Sequence, residues 1–279
     1  MAAFSFFCRK FAIKLQIKKM TTDRIKVGLY VPLSIDQFSP VTAWNAIKLL
    51  ESMGLECYYP TELTSCGMEM YHLGERETAK RLGEQMIEMY EDCHFVVSIS
   101  SAAVVYMQQQ FGKLFHNTTK HNSYRQFIDK CLDLSDFLVN VAHYSPTASF
   151  PHIVAYLDHC TTIRNYRCVA HPDVVGLKEE PRKLLSTVQG LKLMDMAQAD
   201  VCCGYGGNFA NEFTPISDSL AKRKIDHALS MNAEYIVSTE PSCLIHLQSY
   251  IDKRDIPLKC LYIADVLWSD KGTQQQKNV

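Results

Sequence analysis

The order of strand-like and helix-like segments in the first half of this chain is repeated in the second half. Short β-branched runs, such as IKVGLYV at 25–31, alternate with longer segments whose apolar residues recur at helical spacing. FVVS at 95–98 has its counterpart in YIVS at 235–238, and LSDFL at 134–138 parallels YIADVL at 262–267. Alternating strands and helices are typical of parallel sheets that are covered on both faces. The sequence therefore predicts an α/β protein of two duplicated units with parallel sheets.

The limits of the two units are suggested by the composition of the segments around them. SPTASF at 145–150 is small and polar and contains a proline, as linkers often do. We expect residues 20–145 to form the first unit, with helix over 117–140, residues 146–270 to form the second, and residues 271–279 a tail. Residues 1–19 are Phe-rich and basic without any acidic residue, so we expect an N-terminal extension, either a transit-type segment or a start assigned too early.

Charge and cysteine content exclude several classes of function. The net charge of −1 gives no electrostatic basis for binding nucleic acid or an anionic membrane. No apolar run approaches the ~20 residues that a membrane span requires. Eleven cysteines among 279 residues are too sparse for a disulfide scaffold. We therefore expect a cytoplasmic, reducing environment, in which clustered cysteines indicate metal or redox chemistry.

The stretch ADVCCGYGGNF at 199–209 is the strongest candidate for a functional site. Neighbouring side chains of a strand point to opposite faces, so Cys202 and Cys203 could share a site only in a turn. Glycines permit such a turn and can direct backbone N–H groups towards negative sulfur; they stand at Gly204, Gly206 and Gly207. Most free cysteines are simply small buried hydrophobes, and that interpretation competes with a thiolate site for a metal or cluster.

Two further cysteines extend this candidate site. Cys160 follows the strand-like HIVAYLDH and Cys243 follows YIVSTEPS. Because ligands in open α/β sheets bind at the carboxyl ends of strands, we expect Cys160, Cys202, Cys203 and Cys243 to meet there. Four thiolates are the ligand set of an iron–sulfur cluster or a zinc ion. Zinc sites usually contain a close pair such as C-x₂-C, which is absent here, so the spacing favours a cluster.

The remaining candidates have simpler interpretations. His159 could donate a hydrogen bond to a cluster sulfur, or it could be satisfied by the backbone. The charged residues of the helix at 216–231 are expected to be a solvated face, and a docking role for them is the weaker alternative. Four other cysteines are expected to fill the core: Cys57, Cys93, Cys131 and Cys260. For Cys168 we expect a surface or packing role, with support of the Cys160 loop as the alternative. The expected solvated face comprises Lys222, Arg223 and Lys224.

These motifs resemble the cysteine-rich CCG module. Cys160, CCGYGGNFA at 202–210, EPSCL at 240–244 and KCLYIADVL at 259–267 are similar to the iron–sulfur subunit of lactate-utilisation complexes. Related families are the iron–sulfur subunits of glycolate oxidase and of heterodisulfide reductase. The resemblance implies two CCG units, a 4Fe-4S cluster held by the four cysteines, and electron transfer from a 2-hydroxy acid, L-lactate being oxidised to pyruvate. It also implies sister subunits that carry further clusters.

The chain departs from this family pattern in its first half. The resemblance implies cysteines at Leu33 and Ala103, a Cys-Cys-Gly at 65–67 where Ser65 stands first, and a further cysteine at Glu240. We therefore expect one cluster only, in the second half.

Two alternatives stay open at this stage. One is a heterodisulfide-reductase-like subunit that handles thiols or disulfides directly; the other is a scaffold subunit with a vestigial site. The sequence contains no flavin or dinucleotide fingerprint and no evident general base for an α-hydroxy carbon. It therefore favours an oxidoreductase subunit over a self-sufficient enzyme.

Overall fold

A computed structural model describes residues 25–62, 65–169 and 179–269, and for residues 165–169 only the backbone. The predicted N-terminal extension at 1–19 and the tail at 271–279 lie outside the described residues, as does the side chain of Cys168.

The first half of the chain forms a four-stranded sheet with helices between its strands. Its strands are β1 (Lys26–Tyr30), β2 (Glu56–Tyr58), β3 (Phe95–Ser98) and β4 (Cys131–Asp133). Its helices are α1 (Leu33–Phe38), α2 (Pro40–Glu51), α3 (Met68–His72), α4 (Arg76–Met89), α5 (Ser101–Phe115), α6 (His121–Lys130) and α7 (Leu134–Asp136), the last continued by a π-helical turn at Phe137–Val141.

The second half repeats this arrangement. Its strands are β5 (Ile153–Leu157), β6 (Lys192–Asp195), β7 (Tyr235–Ser238) and β8 (Lys259–Tyr262). Its helices are α8 (Cys160–Val169), α9 (Glu179–Ser186), α10 (Phe209–Glu212), α11 (Thr214–Ser230), α12 (Pro241–Asp252) and α13 (Ile263–Leu267).

The two sheets have the same strand order and are parallel throughout. They run β2-β1-β3-β4 and β6-β5-β7-β8. The central pairs start at equivalent positions, Val27 opposite Phe95 in one sheet and Val154 opposite Tyr235 in the other. All four residues of β3 are buried, as expected of a central parallel strand. The predicted α/β fold with two duplicated parallel sheets is confirmed.

Helical periodicity explains how the helices attach to the sheets. The buried residues of α4 recur three or four positions apart, at Ala79, Gly83, Met86 and Ile87, and this places one face of the helix against the core. The turn after α2 closes at Gly54, whose φ of +79° is the left-handed conformation expected of a C-cap glycine. No helix within the described ranges is long and apolar enough to cross a bilayer.

One predicted element is wrong. The sequence predicts helix over 117–140, but the structure divides this stretch by β4, which pairs with β3 through Val96 and Cys131. Cys131 is consequently a buried strand residue and not a helical one. A three-residue strand is too short to show its period in the sequence, and its pairing is decided by the neighbouring strand.

The two units pack against each other around one continuous core. That core includes Val97 from the first sheet and Val237 from the second. Asp265 in α13 accepts hydrogen bonds from the first-half side chains of Thr42 at 3.0 Å and Asn45 at 2.9 Å. Beyond the ends of β3 and β7, the Ser101 N–H donates to the Thr239 carbonyl at 3.3 Å. The carboxyl ends of these two strands therefore face each other across the interface between the units.

Candidate thiol centre

The structure brings the four candidate cysteines together at one end of the second sheet. Cys160 is the first residue of α8, directly after β5, and Cys243 lies in the first turn of α12, after β7. Cys202 and Cys203 lie in the loop that follows β6. We call these four residues the thiol centre.

The four thiols of the centre interact with one another. The Sγ atoms of Cys203 and Cys243 are 2.9 Å apart. Cys202 interacts with Cys160 and with Cys203, and both interactions lower its pKa. Cys160, Cys203 and Cys243 are buried, whereas Cys202 is partly exposed. The centre is thus closed to solvent except on the side of Cys202.

The glycine loop holds Cys202 and Cys203 on the same side of the chain. Gly204 has a φ of +97°, and a Cβ there would lie 2.7 Å from the carbonyl oxygen of Ser217, so only glycine lets the loop pack on α11. Its N–H donates to Cys202 Sγ at 3.3 Å. Gly206 and Gly207 also have positive φ, at +37° and +61°, and turn the chain towards α10.

The thiol centre favours negative charge on two of its four sulfurs. Hydrogen bonds from Cys160 and then Cys203 lower the pKa of Cys202, and the Gly204 N–H contributes to this. The pKa of Cys243 is lowered to about 7, mainly by a hydrogen bond from Cys203. The pKa values of Cys160 and Cys203 are raised, chiefly because each shares its proton with Cys202. The arrangement therefore alternates proton donors and thiolates.

His159 supports the charge on this centre. Burial alone would lower the pKa of its imidazole, but the hydrogen bond to Cys243 and the charge of that thiolate outweigh burial and raise the pKa to about 9. This interaction favours the interpretation in which His159 donates to a sulfur. The ring Nδ1 has no hydrogen-bond partner in the described part of the chain.

Lys224 contradicts the predicted solvated face of α11. Its neighbours Lys222 and Arg223 are exposed, but Lys224 is only 3% exposed and its Nζ donates to the Gln198 carbonyl at 2.8 Å. Burial lowers the pKa of its ammonium. The sequence did contain a signal, because Ala221 and Ala228 lie three and four positions away from Lys224 on the buried face of the same helix.

The first half contains an equivalent of this centre with a single thiol. Leu33 is the first residue of α1, as Cys160 is of α8, and Ala103 lies in the first turn of α5, as Cys243 does in α12. Gly67 has a φ of +87° and packs on the Ala79 carbonyl in the same way that Gly204 packs on Ser217. Cys66 is buried, which raises the pKa of its thiol to about 12.

Glu240 lies between the two units and contacts no thiol among the hydrogen bonds described. It is 2% exposed, and its carboxylate accepts hydrogen bonds from Ser100 Oγ at 2.8 Å, the Ala102 N–H at 2.9 Å and Ser242 Oγ at 2.7 Å. These donors belong to the first turns of α5 and α12 or directly precede them. Glu240 therefore joins two helix N-termini, a role that the sequence did not reveal because its partner Ser100 is 140 positions away.

The other cysteines lie away from the centre and in packed positions. Cys93 and Cys131 are buried, and Cys57 and Cys260 are half-buried in β2 and β8. Burial raises the pKa of Cys57 to about 11. These positions agree with the interpretation that these residues fill the core.

The distances between the sulfur atoms limit which metal group the thiol centre can hold without rearranging. Within the described ranges, no three His, Cys, Asp or Glu side chains are spaced as ligands of a single metal ion. The 2.9 Å between the sulfurs of Cys203 and Cys243 is shorter than the separation of about 3.8 Å for two thiolates bound to one tetrahedral zinc. Any metal group would therefore require these side chains to move apart.

The sequence pattern of the cysteine-rich domain family, CCG, matches residues 34–103 and 154–248 of the chain. The chain belongs to the CCG family. Each matched segment falls in one of the two structural repeats, and the second contains all four cysteines of the thiol centre. The duplication observed in the structure is therefore a duplication of the CCG domain.

Relatives of this CCG protein cover almost its whole described length. Lactate utilization protein A of Bacillus cereus strain B4264 is 30% identical over 245 residues, which are 87% of this chain and 98% of the relative. Lactate utilization protein A 1 of Bacillus cereus strain AH820 is 29% identical over the same shares of both chains.

One solved structure has a similar fold, and at its low sequence identity it bears only on the fold of the CCG protein. The crystal structure of a hypothetical protein from Helicobacter pylori superposes with a TM-score of 0.56 at 9% identity. The match covers 89% of this chain and 49% of the other, so this chain spans about half the length of the Helicobacter protein.

Proposed function

We propose that this CCG protein is an iron–sulfur electron-transfer subunit of a complex that oxidises a 2-hydroxy acid, with L-lactate to pyruvate as the first reaction to test. The observation that carries the proposal is the convergence of four interacting thiols from the segments that follow three strands of one sheet. The relatives support a role related to lactate utilisation, because they are named lactate utilization protein A and the similarity covers 98% of their length.

The chemistry of the donor set fits an iron–sulfur cluster. Cys160, Cys202, Cys203 and Cys243 would hold one cluster, for which four thiolates are the usual ligands. Two of these sulfurs favour the thiolate, the form that binds iron, and the side chains of Cys203 and Cys243 would move apart to admit the cluster. When bound, the cluster would supply one-electron transfer at a potential set by hydrogen bonds and burial.

The chain's own groups around the sulfurs have defined parts in this proposal. The backbone N–H of Gly204 donates to Cys202 at 3.3 Å. The Tyr205 N–H and the His159 imidazole favour the charged forms of Cys203 and Cys243, respectively, and lower the pKa values of these thiols. Such donors stabilise negative sulfur and tune the potential of a cluster. The burial of three of the four cysteines excludes water from most of the centre.

We further propose that the protein works with sister subunits that carry additional clusters, in a reducing, cytoplasmic compartment. All nine cysteines whose side chains the structure describes are free thiols, which agrees with such a compartment. Two large apolar side chains that follow the glycine loop, Phe213 and Ile216, are 48% and 55% exposed and give a partner a surface near the thiol centre.

Iron and sulfide analysis of anaerobically purified protein tests the cluster. We expect about four iron and four sulfide per chain and a visible charge-transfer band. Cys203→Ser is expected to lose both, whereas Cys66→Ser, which alters the buried equivalent cysteine of the first half, is expected to keep them. Zinc without sulfide, or no metal at all, would remove the redox proposal in favour of the scaffold alternative.

A second experiment tests the substrate. A host strain that lacks this gene is expected to grow poorly on L-lactate and normally on pyruvate, since pyruvate enters beyond the proposed step. Equal growth on both would remove lactate as the substrate. A perturbed electron paramagnetic resonance signal on adding a disulfide would instead support the thiol–disulfide alternative.

A further inference from the structure

Lys224 in α11 is a buried cation. Among the described residues, no carboxylate forms a hydrogen bond or ion pair with it. Its side chain is 3% exposed, and the hydrogen bond described for its ammonium goes to the backbone carbonyl of Gln198 at 2.8 Å. Transfer of an ammonium group into a protein interior is costly unless a negative group compensates it. A compensating negative charge is therefore expected close to Lys224.

Lys224 lies on the face of α11 that packs on the glycine loop. Around Gly204, the nearest groups of this helix are the carbonyl of Ser217 and Cβ of Leu220. Lys224 follows Leu220 by four positions and Ser217 by seven, which places all three residues on one side of the helix. Gln198, the acceptor of its hydrogen bond, lies four positions before Cys202. The ammonium thus lies against the segment that forms the thiol centre.

The charges that face Lys224 come from this centre and from Asp158. The ammonium interacts electrostatically with Cys203, Asp158, Cys160 and Cys243. Asp158 has a counter-ion of its own, because both of its oxygens accept from the Arg182 guanidinium, at 2.6 and 3.0 Å. The same guanidinium also binds Asp195 at 2.7 Å, but that carboxylate is exposed to solvent. The other groups that face Lys224 are the sulfurs, which would all be thiolates as ligands of the proposed cluster.

We propose that Lys224 is the fixed counter-charge of the thiol centre and raises the one-electron reduction potential of the cluster held there. This inference rests on the proposed function. Reduction adds one electron to the group, taken from the external reductant, and no bond is formed or broken. A nearby buried cation stabilises the added negative charge, so its removal makes reduction harder.

The test is a mediated redox titration with dithionite, followed by electron paramagnetic resonance, on the whole chain. We expect Lys224→Met to lower the equilibrium constant for reduction on the order of tenfold, a shift of ~59 mV to more negative potential. Lys224→Arg keeps the charge and is expected to stay close to the wild type. The matched control is Lys222→Met, which removes an exposed cation two positions away, and no shift is expected there.

The outcomes separate this inference from the proposed function. A wild type without iron and sulfide removes the proposed function itself. A wild-type cluster whose potential is unchanged in Lys224→Met, or changed equally in Lys222→Met, overturns the role of Lys224 alone. If Lys224→Met does not fold, Lys224→Gln replaces it, because glutamine keeps a donor for Gln198 without the charge. Loss of the cluster in Lys224→Gln but not in Lys224→Arg would also support the inference.

Discussion

At the scale of single residues, two thiols with very different pKa values are both partly exposed. Cys202 accepts hydrogen bonds from Cys160 and Cys203, which lower its pKa, whereas burial raises the pKa of Cys57 to about 11. Since only the thiolate reacts with alkylating agents, the two residues should differ in how their reactivity depends on pH.

We expect Cys202 of the metal-free chain to react with iodoacetamide at nearly the same rate at pH 6 and pH 8, because its thiolate is already formed at the lower pH. The rate at Cys57 should rise about 100-fold over the same interval, tenfold per pH unit below its pKa. Peptide mass spectrometry after timed quenching measures both rates in one sample. A steep rise at Cys202 would show that its neighbours do not stabilise the thiolate.

Replacement of Glu240 is expected to lower the stability of the fold substantially. Glu240→Ala leaves the buried Ser100 hydroxyl and the Ala102 N–H without their acceptor. We expect the free energy of unfolding to fall by about 3 kcal/mol, since each unsatisfied buried donor costs roughly 1–3 kcal/mol. Urea denaturation measures the difference. Glu212→Ala, at an exposed position, should change it by less than about 0.5 kcal/mol, and equal effects in both variants would contradict the bridging role.

At the scale of elements, the glycine loop is positioned by its close packing on α11. Gly204→Ala would force a left-handed backbone on alanine and place its Cβ 2.7 Å from the Ser217 carbonyl. We expect a loss of about 2–4 kcal/mol of stability from the backbone strain and the overlap together. Thermal or urea unfolding measures this loss.

Gly207→Ala is the matched control, because its φ is also positive but no atom lies within 4 Å of the added Cβ. It should lose only the backbone contribution of about 1 kcal/mol. Similar losses in the two variants would show that contact with α11 does not hold the loop.

The elements also show what the sequence could and could not predict. The spacing of apolar residues predicts the strands β5 and β7 and the amphipathic helix α4. The convergence of the four cysteines is predicted by the rule that the carboxyl ends of parallel strands lie at one edge of a sheet. The strand β4 could not be predicted because its three residues are specified by pairing with β3. The exposure expected of Lys224 was wrong because a charge predicts a solvated position, whereas this residue lies on a buried helix face. Glu240 was unpredictable because its contacts arise only when the two units pack.

At the scale of the whole molecule, the duplication places an intact thiol centre and its altered equivalent in two units that share one core. In the first unit, Leu33, Ser65 and Ala103 occupy the positions that Cys160, Cys202 and Cys243 occupy in the second, and Cys66 corresponds to Cys203. Tyr30 occupies the strand position that corresponds to Leu157, and its hydroxyl accepts from the Cys66 N–H at 3.0 Å. The altered centre is thus filled by a buried tyrosine as well as depleted of sulfur.

This difference predicts that thiols alone do not restore a second site. The variant with Leu33→Cys, Ser65→Cys and Ala103→Cys is expected to keep the wild-type iron content, because the Tyr30 side chain still contacts Cys66. Adding Tyr30→Leu to that variant removes the ring and its hydroxyl, and iron and sulfide per chain should then approximately double. Both contents are measured after anaerobic reconstitution, with Tyr30→Leu alone as the control that adds no ligand. Doubling without the Tyr30 substitution would show that the ring does not obstruct the site. No increase in either variant would mean that the backbone of the first unit, despite its matching Gly67 turn, no longer brings its four positions together.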